Sequence, residues 1–280
     1  MSAPGTPVTP DWLALREPAD AAARAGEAAD RLCVWLRARP GDGGPIVVRD
    51  LGCGTGSMGR WLAERLPGPQ HWLLHDRDPA LLERAMANLP PGVTAEPIVG
   101  DLTGLDAAQL AGTSVVTASA LLDLLTADEV ESLAAACAAA GCATLLSLSV
   151  TGSVLLTPTD PLDAAFAAAF DAHQRRTVDG RRLLGPDAPP AVAAAFGRHD
   201  VAVVRAPSPW RLGADDGPLI EQWLRGWLAA ACEQRPTLVQ DAEAYLRRRL
   251  AAATRGDLRV VVGHADLLAL PRPAVPENHS

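Results

Sequence analysis

A glycine-rich segment carries the strongest chemical signal in the sequence. It consists of Asp50, Leu51, Gly52, Cys53, Gly54, Thr55 and Gly56. The segment follows a short β-branched run, 46–48, that is typical of a buried strand, and Ser57 directly after it begins a predicted helix. Glycine removes the Cβ atom where a backbone must turn sharply and approach a ligand closely. The segment therefore predicts a ligand-binding loop between a strand and a helix.

Carboxylates stand at the ends of the next two predicted strands. Asp76 ends the second strand about twenty residues after the glycine-rich segment, where dinucleotide-binding folds place an acid that accepts from ribose hydroxyls. Asp101 follows the third strand, in a turn that continues with Leu102. Arg77 comes directly after the first acid and is a candidate for contact with the face of an adenine ring. These residues predict a ligand that contains a nucleoside.

From residue 46 to residue 149, predicted strands and helices alternate. The strands are 46–50, 71–76, 94–99, 113–118 and 142–149, and the helices are 57–66, 79–88, 106–111 and 127–140. Such alternation requires a parallel sheet with helices on both faces, and its ligands bind at the carboxyl ends of the strands where the winding reverses. The predicted fold class is therefore α/β with a doubly wound sheet, and the glycine-rich segment lies at its binding edge.

The glycine-rich segment resembles the first motif of the class I methyltransferases, which is an acidic residue, one spacer and then G-x-G-x-G. The rival dinucleotide fingerprint, G-x-G-x-x-G, would need a glycine at Ser57, so the spacing favours S-adenosylmethionine over NAD. The resemblance covers residues 46 to about 150 well. It implies a seven-stranded, mainly parallel sheet with a helical cap. It also implies that the cofactor is S-adenosylmethionine and the product S-adenosylhomocysteine.

The resemblance also implies roles for the residues of the binding edge. In the family, the Asp101 carboxylate would accept from the adenine amino group, and the backbone amide of Leu102 would meet a ring nitrogen. The stretch that contains Ala118 and Ser119 would lie beside the methionine part. The predicted cofactor-binding residues are Asp50, Gly52, Cys53, Gly54, Gly56, Asp76, Arg77, Asp101, Leu102, Ala118 and Ser119.

Two residues are candidates for catalysis, Asp123 and His173. Many relatives carry an asparagine and a histidine near the places of Ser119 and Asp123, so this chain departs from the family pattern. Asp123 would orient an acceptor or take its proton if burial raises its pKa toward neutrality. The alternative is that Asp123 faces solvent before a helix that Thr126 and Glu129 cap. Methyl transfer needs a base only for a poorly nucleophilic acceptor.

Helices on both sides of the alternating core are predicted to cap the binding edge. Residues 11–39 are predicted as two helices broken near Pro18, and residues 151–161 and 177–190 as loops around a helix at 162–175. Further predicted elements are strands 199–206 and 257–264 and helices 192–197, 217–232 and 238–253. The domain prediction is an N-terminal helical cap at 1–45, a cofactor core at 46–150, the rest of the sheet with cap insertions at 151–270, and a flexible tail at 271–280.

Substrate-binding candidates come from these cap helices. They are Trp12, Arg16, Phe170 and His173, and for each the alternative is a purely structural role. Residues 260–268 resemble the last, antiparallel strand of the family's sheet, which would pair with a strand near 201–204. His264 is predicted to lie at the end of that strand, away from the cofactor.

Composition limits the class of partner. The formal net charge is −8, no lysine occurs, and the run 247–249 is predicted to be a solvated helix face, so no nucleic acid is expected. Five widely spaced cysteines without metal-ligand spacing predict reduced thiols and no metal site. The absence of a signal sequence or a long apolar stretch predicts a cytoplasmic protein without membrane contact, either monomer or homodimer.

The sequence therefore predicts a methyltransferase that acts on an oxygen, nitrogen or carbon atom of a small molecule. The lysine-free, alanine-, arginine- and proline-rich composition is associated with GC-rich bacterial genomes, which favours a secondary metabolite as the acceptor. The alternatives are an RNA or protein methyltransferase, a protein that binds S-adenosylmethionine without catalysis, and a nicotinamide-dependent dehydrogenase.

Overall fold

A computed structural model describes residues 9–39, 44–101 and 104–271. Leu102 and residues 272–280 of the predicted tail lie outside the described residues. The helices are α1 (Pro10–Ala23), α2 (Gly26–Ala38), α3 (Ser57–Ala63), α4 (Pro79–Ala87), α5 (Ala127–Ala140), α6 (Asp163–Gln174), α7 (Ala188–Arg198), α8 (Gly217–Gln234) and α9 (Val239–Thr254). The strands are β1 (Ile46–Leu51), β2 (Gln70–Asp76), β3 (Thr94–Val99), β4 (Val115–Ser119), β5 (Ala143–Thr157), β6 (Thr177–Val178), β7 (Arg181–Arg182), β8 (Ala202–Pro207), β9 (Trp210–Leu212) and β10 (Arg259–Leu270).

The large sheet confirms the predicted doubly wound α/β fold. Its strands follow the order β3-β2-β1-β4-β5-β10-β8, and β9 pairs with β10 as an additional strand. Strands β1 to β5 pair in parallel, whereas β10 is antiparallel to both β5 and β8. Leu268 pairs with Val204, as predicted for the last strand. The winding reverses between β1 and β4, so the carboxyl ends of these two strands form the binding edge.

The parallel part of the sheet is buried by helices on both faces. One apolar cluster joins β1, β2 and β5 to α2, α3 and α4, and a second joins β4 and β5 to α5 and α7. Strands covered on two faces are nearly continuous apolar runs, as in β4 and the first half of β5. The two layers of helices therefore hold the binding edge rigidly in place.

A third apolar cluster forms the cap. Strand β5 pairs with β4 only as far as Ser147 but continues to Thr157 beside the first half of β10. Register shifts in β10 accompany this extension, between Val262 and His264 and between Ala265 and Leu267. Helices α6, α8 and α9 pack on the extended ribbon together with Trp12 and Trp210. The cap is thus a continuation of the sheet past the binding edge, covered by helices.

The N-terminal helix does not break at Pro18, contrary to the prediction. Helix α1 continues through the proline, and Asp20 beyond it is buried on the packed face, so tertiary packing outweighs the lost helical hydrogen bond. The break falls at Arg24 and Ala25. The Asp266 carboxylate accepts from the Ala25 amide at 2.8 Å, which supports the chain between α1 and α2.

Several other boundaries differ from the predictions. The predicted helix at 106–111 is a turn, because the side chains of Asp106 and Gln109 each accept from the backbone amide of the other residue. The predicted loop at 151–161 is largely the extension of β5, and the predicted loop at 177–190 contains β6, β7 and the start of α7. Residues that favour turns therefore predict loops at places where the chain in fact forms strands.

Two residues of the cap region are buried where exposure or a strand end was predicted. Arg249 is 3% exposed, so the run 247–249 is not a uniformly solvated face. Its guanidinium pairs with Asp163, whose carboxylate also accepts from the Tyr245 hydroxyl at 2.6 Å. His264 lies in the interior of β10 instead of at its end, with its ring centroid 5.4 Å from that of Trp210. No helix in the described residues is long and apolar enough to cross a membrane.

Candidate functional site

The glycine-rich loop connects β1 to α3 at the binding edge. Gly54 has a φ of +56°, which an L residue rarely adopts, and its backbone amide donates to Asp76 Oδ2 at 2.9 Å. The Asp78 amide donates to Asp76 Oδ1 at 3.0 Å. Because Asp76 ends the neighbouring strand, its carboxylate fixes the loop and the turn after β2 relative to each other. The glycine-rich loop and Asp76, each predicted to lie at the binding edge, are therefore in direct contact.

Helix α1 lies across this loop. A Cβ atom added to Gly54 would come within 3.1 Å of Leu13 Cδ1. Arg60 of α3 forms an ion pair with Glu17 of α1 at 2.6 Å and also donates to the Thr55 carbonyl. The loop is consequently confined between the sheet below and α1 above.

Asp50 lies buried beneath the loop, at the end of β1. The Thr117 hydroxyl of β4 donates to Asp50 Oδ1 at 2.7 Å, and Oδ2 is buried without a hydrogen-bond partner in the described part of the chain. Burial raises the pKa of Asp50 to about 7, while the Thr117 hydrogen bond and the charge of Arg24 act in the opposite direction. A carboxylate oxygen of this kind is available to a donor that a ligand brings.

Arg24 completes this buried group, and sequence reasoning missed it. Its Nη2 donates to Ser57 Oγ at 2.8 Å and to Ser119 Oγ at 3.1 Å, whereas Nε and Nη1 are buried without partners among the described residues. The guanidinium also lies 5.6 Å from the ring centroid of Trp61. Burial lowers the pKa of its guanidinium below the usual range for arginine, and the charges of Asp20, Asp266 and Asp50 oppose that shift. No local pattern distinguishes this arginine from the others in the sequence.

Asp266 supports the position of Arg24 from β10. Its carboxylate is 1% exposed and accepts from two backbone amides, those of Ala25 and Leu148, each at 2.8 Å. These bonds join the break between α1 and α2 to the register shift between β5 and β10. The polar end of Arg24 is thereby directed toward the ends of β1 and β4.

The remaining predicted cofactor residues surround this group on the edge of the sheet. Asp101 and Arg77 are exposed after β3 and β2, Ala118 is buried, and Ser119 is half-buried. Leu102 lies outside the described residues. A small, shallow cleft adjoins this region, and its lining consists of Leu51, Gly104, Leu105, Leu121, Leu125, Glu129, Ser132 and Leu133. The lining is largely apolar.

Asp123 follows β4 on the side of the cap. Burial raises the pKa of its carboxyl, and the charges of Arg16 and Arg176 act in the opposite direction. The side chain is half-buried, so the alternative of full exposure beside the capped helix α5 does not describe it. A carboxyl whose pKa is raised is a stronger proton acceptor than an ordinary aspartate.

His173 is enclosed inside the cap, at 2% exposure. Its Nε2 lies 3.2 Å from Glu233 Oε2, and its Nδ1 lies 2.9 Å from Arg176 Nη1. Burial lowers the pKa of the imidazole, and the positive charge of Arg176 lowers it further. Both ring nitrogens are therefore engaged by cap residues.

The central residues of the chain match a known family. Residues 48–140 match the family described as a methyltransferase domain. The matched region runs from β1 to the end of α5. The match agrees with the predicted methyltransferase. A search of curated proteins finds no match to the chain.

Solved structures similar to this methyltransferase include three enzymes of low sequence identity. A cyclopropane synthase from Mycobacterium tuberculosis is 13% identical, with 87% of this chain and 83% of that chain covered and a TM-score of 0.45. A methyltransferase from Geobacter sulfurreducens, in complex with S-adenosylhomocysteine, is 18% identical, with 94% and 99% covered and a TM-score of 0.42. A magnesium protoporphyrin IX methyltransferase from Synechocystis is 15% identical, with 65% and 76% covered and a TM-score of 0.40.

The predicted substrate residues of the methyltransferase lie in the cap with protein partners of their own. Trp12 meets Trp210 edge to face at 6.5 Å, and Phe170 packs 6.4 Å from Trp227. Arg16 forms a two-point ion pair with Asp20, at 2.8 and 3.1 Å. Their roles in acceptor binding stay predictions. In the residues that the structure describes, no group of three or more histidine, cysteine and acidic side chains is arranged to hold a metal ion.

Proposed function

We propose that this methyltransferase binds the amino acid end of S-adenosylmethionine between Asp50 and Arg24 and methylates an oxygen, nitrogen or carbon atom of a small molecule. Bound S-adenosylmethionine supplies a methyl group made electrophilic by the adjoining sulfonium. The protein's contribution is to hold the two reactants in line, exclude water and accept a proton where the acceptor loses one.

The observation that carries this proposal is a pair of opposite buried charges with unused hydrogen-bonding atoms. Asp50 Oδ2 and Arg24 Nε and Nη1 are buried without partners in the described residues. A buried polar atom left without a partner costs about 1 to 3 kcal/mol, and the cost is larger for charged groups, so a ligand that satisfies both residues would offset it. An α-amino acid group carries an ammonium that suits Asp50 and a carboxylate that suits Arg24. NAD has no such group.

The nucleoside part of the cofactor fits the neighbouring strand ends. We assign the ribose hydroxyls to Asp76, which is already oriented by the Gly54 and Asp78 amides. Asp101 at the end of β3 would accept from the adenine amino group, with the apolar cleft beside it. Ala118 and Ser119 would lie along the methionine part, because Ser119 bonds to Arg24.

Asp123 is the better candidate for a proton acceptor on the acceptor side. It follows β4 a few residues after Ser119 and is only half-buried, so a bound acceptor can reach it. His173 has both ring nitrogens engaged and a lowered pKa. Its role would therefore be to position Arg176, not to exchange protons with the acceptor.

The cap supports a small molecule as the acceptor. The β5–β10 ribbon and its helices extend past the edge at which the cofactor would bind, and α1 covers the glycine-rich loop. An enclosed site of this kind admits small compounds more readily than a folded RNA or protein. The net charge of −8 also disfavours a polyanionic acceptor.

The test compares two ligands that differ in the amino acid group. S-Adenosylhomocysteine carries the group, and 5′-methylthioadenosine lacks it. Arg24→Met removes the proposed carboxylate partner, so we expect calorimetry to show a loss of about 1.5 to 3 kcal/mol for S-adenosylhomocysteine. The affinity for 5′-methylthioadenosine is expected to stay the same.

Arg65→Met is the matched control, because Arg65 also stacks on Trp61, with its guanidinium 4.4 Å from the ring centroid, but follows the C-terminal end of α3. It should leave both affinities unchanged. An equal loss for both ligands in Arg24→Met would mean that Arg24 only supports the fold. If the unaltered protein bound neither ligand, the proposed function itself would be wrong.

A further inference from the structure

We propose that the methyl acceptor of this protein is a small carboxylic acid, whose carboxylate binds Arg176 while its nucleophilic hydroxyl or amino group lies against Asp123. This inference rests on the proposed function, because it names the class of compound that enters the same site. It concerns residues of the cap that the cofactor does not require.

Arg176 presents an unused hydrogen-bonding group at the end of α6. Its Nη1 donates to the His173 carbonyl at 2.6 Å and lies 2.9 Å from His173 Nδ1. These contacts hold one side of the planar guanidinium against the helix. Nη2, on the other side, is buried and has no partner within the described ranges. A half-buried arginine fixed in this way is oriented before any ligand binds.

Main-chain contacts tie the segment that follows Arg176 to the segment that carries Asp123. The Leu184 amide donates to the Leu125 carbonyl at 2.9 Å, and Arg181 donates to the Leu124 carbonyl at 3.2 Å. Arg181 also forms an ion pair with Glu129 of α5 at 2.7 Å. The hairpin of β6 and β7 is therefore docked on the turn after β4. These contacts hold the segments that carry Asp123 and Arg176 beside each other.

The charges on these two residues influence each other without pairing. Each alters the pKa of the other, yet no ion pair formed by the described residues includes Asp123. The other neighbouring cation, Arg16, is paired with Asp20. The carboxylate that raises the pKa of Arg176 most is that of Glu233. Its side chain is 67% exposed and lies against His173. Asp123 and Arg176 are thus both without an ion-pair partner among the described residues, and a ligand that bridges them would supply one to each.

A carboxylic acid with an O–H or N–H group satisfies both residues. The planar guanidinium matches a carboxylate better than it matches a neutral amide or ester, because charged acceptors form the stronger bonds. The acceptor's hydroxyl or amine donates to Asp123. In the transfer, a lone pair of this oxygen or nitrogen forms the new bond to the methyl carbon. The bond between sulfur and the methyl group breaks with its electron pair on sulfur, and Asp123 takes the proton and returns it to solvent.

The experiment uses 4-hydroxybenzoate and 4-hydroxybenzamide as probes, because the two differ mainly in the charge of one group. Each is titrated calorimetrically into full-length protein saturated with S-adenosylhomocysteine. We expect the acid to bind at least about tenfold more tightly than the amide, as a charge-assisted hydrogen bond predicts. Arg176→Met should abolish this preference, and Arg176→Lys should retain only part of it.

Arg175→Met is the matched control, since Arg175 is adjacent and forms its ion pair with Asp187 on the surface. It should keep the full preference for the acid. The affinity for S-adenosylhomocysteine, measured first in every variant, establishes that the fold and the cofactor site are intact and tests the proposed function separately. Equal binding of the two probes, binding of neither to the loaded protein, or an unchanged preference in folded Arg176→Met would each overturn the inference.

Discussion

Buried charge is arranged differently in the cofactor edge and in the cap. At the cofactor edge, Asp50 and Arg24 are buried with polar atoms that lack partners in the described residues. In the cap, the buried Arg16 and Arg249 each form an ion pair with a carboxylate, although Arg249 Nε is also buried without a partner among the described residues. Asp20, the partner of Arg16, also accepts from the indole nitrogen of Trp210 at 2.9 Å.

This difference distinguishes buried charges that stabilise the fold from buried charges that bind a ligand. A paired buried charge holds its surroundings in one arrangement, and removing one partner leaves an uncompensated charge. An unpaired buried charge lowers stability in the free protein, so its retention indicates a ligand that completes it. The comparison therefore predicts opposite effects for substitutions in the two regions: lost stability in the cap, and lost affinity at the cofactor edge.

The largest effect is expected for Arg249→Met in the cap. The substitution leaves Asp163 and the Tyr245 hydroxyl without their cation, so the free energy of unfolding should fall by about 3 to 5 kcal/mol. Denaturant titration measures this loss. Under conditions where the variant is folded, its affinity for S-adenosylhomocysteine should be unchanged.

Arg247→Met on the same helix is the control for this experiment. Its ion pair with Glu243 is exposed, so its removal should change stability by less than about 0.5 kcal/mol. A tenfold loss of cofactor affinity in folded Arg249→Met would break the comparison, because the two regions would then not be independent.

Gly54→Val tests whether the backbone conformation of the glycine-rich loop is needed for cofactor binding. Gly54 has a φ of +56°, and a Cβ atom would come within 3.1 Å of Leu13, so a β-branched side chain must move the loop or α1. We expect S-adenosylhomocysteine to bind at least about a hundredfold less tightly, a loss of about 3 kcal/mol. The stabilisation that this ligand gives in thermal unfolding should disappear.

Cys53→Ala is the neighbouring control. The thiol is buried, and no chemical role is assigned to it, so this variant should bind normally. Retained thermal stabilisation by the ligand in Gly54→Val would show that the loop does not approach the cofactor.

Features with a local cause could be predicted from the sequence. The pattern predicted α5 at 127–140, and the structure has Ala127–Ala140, because Thr126 and Glu129 form a capping box that fixes its start. The glycine-rich loop and Asp76 were predicted from residue type and spacing, and they meet at the binding edge. In each case, the information lies within a few residues or in a fixed succession of strands.

Features assembled from distant residues were not predictable in this way. The Asp266 carboxylate contacts the Ala25 amide across 241 positions of the chain, and nothing near either residue indicates this contact. Arg24 depends on that support, so its place at the site was also missed. The sequence predicts a loop where β5 extends, because the partner strand β10 is too far along the chain to be recognised from neighbouring residues. The predicted domain boundaries and the role of Asp123 stay predictions.

The last prediction uses pH to separate the effect of Asp50 on stability from its effect on cofactor binding. Burial raises the pKa of Asp50 to about 7 in the folded protein, against 3.8 for an ordinary aspartate. The folded state therefore binds more protons than the unfolded state between these values. The contribution of Asp50 to stability is full at pH 3.8 and below and is lost as the pH rises through about 7.

Asp50→Asn should remove this loss, because a neutral amide keeps an oxygen for the Thr117 hydroxyl and carries no charge to bury. At pH 8, the ligand-free variant should be more stable than the unaltered protein by about 1 to 3 kcal/mol, and the difference should vanish near pH 4.

Affinity for S-adenosylhomocysteine should behave in the opposite way. It should fall in the unaltered protein as the pH drops from 8 to 6, because protonated Asp50 loses the negative charge that attracts the ammonium, and it should be weak and nearly independent of pH in the variant. Denaturant titrations and calorimetry at several pH values measure the two trends. Glu64→Gln, which alters an exposed acid at the end of α3, should change neither. A variant that gained no stability at pH 8, or that kept both its affinity and its pH dependence, would show that the charge of Asp50 is compensated within the protein and not by a ligand.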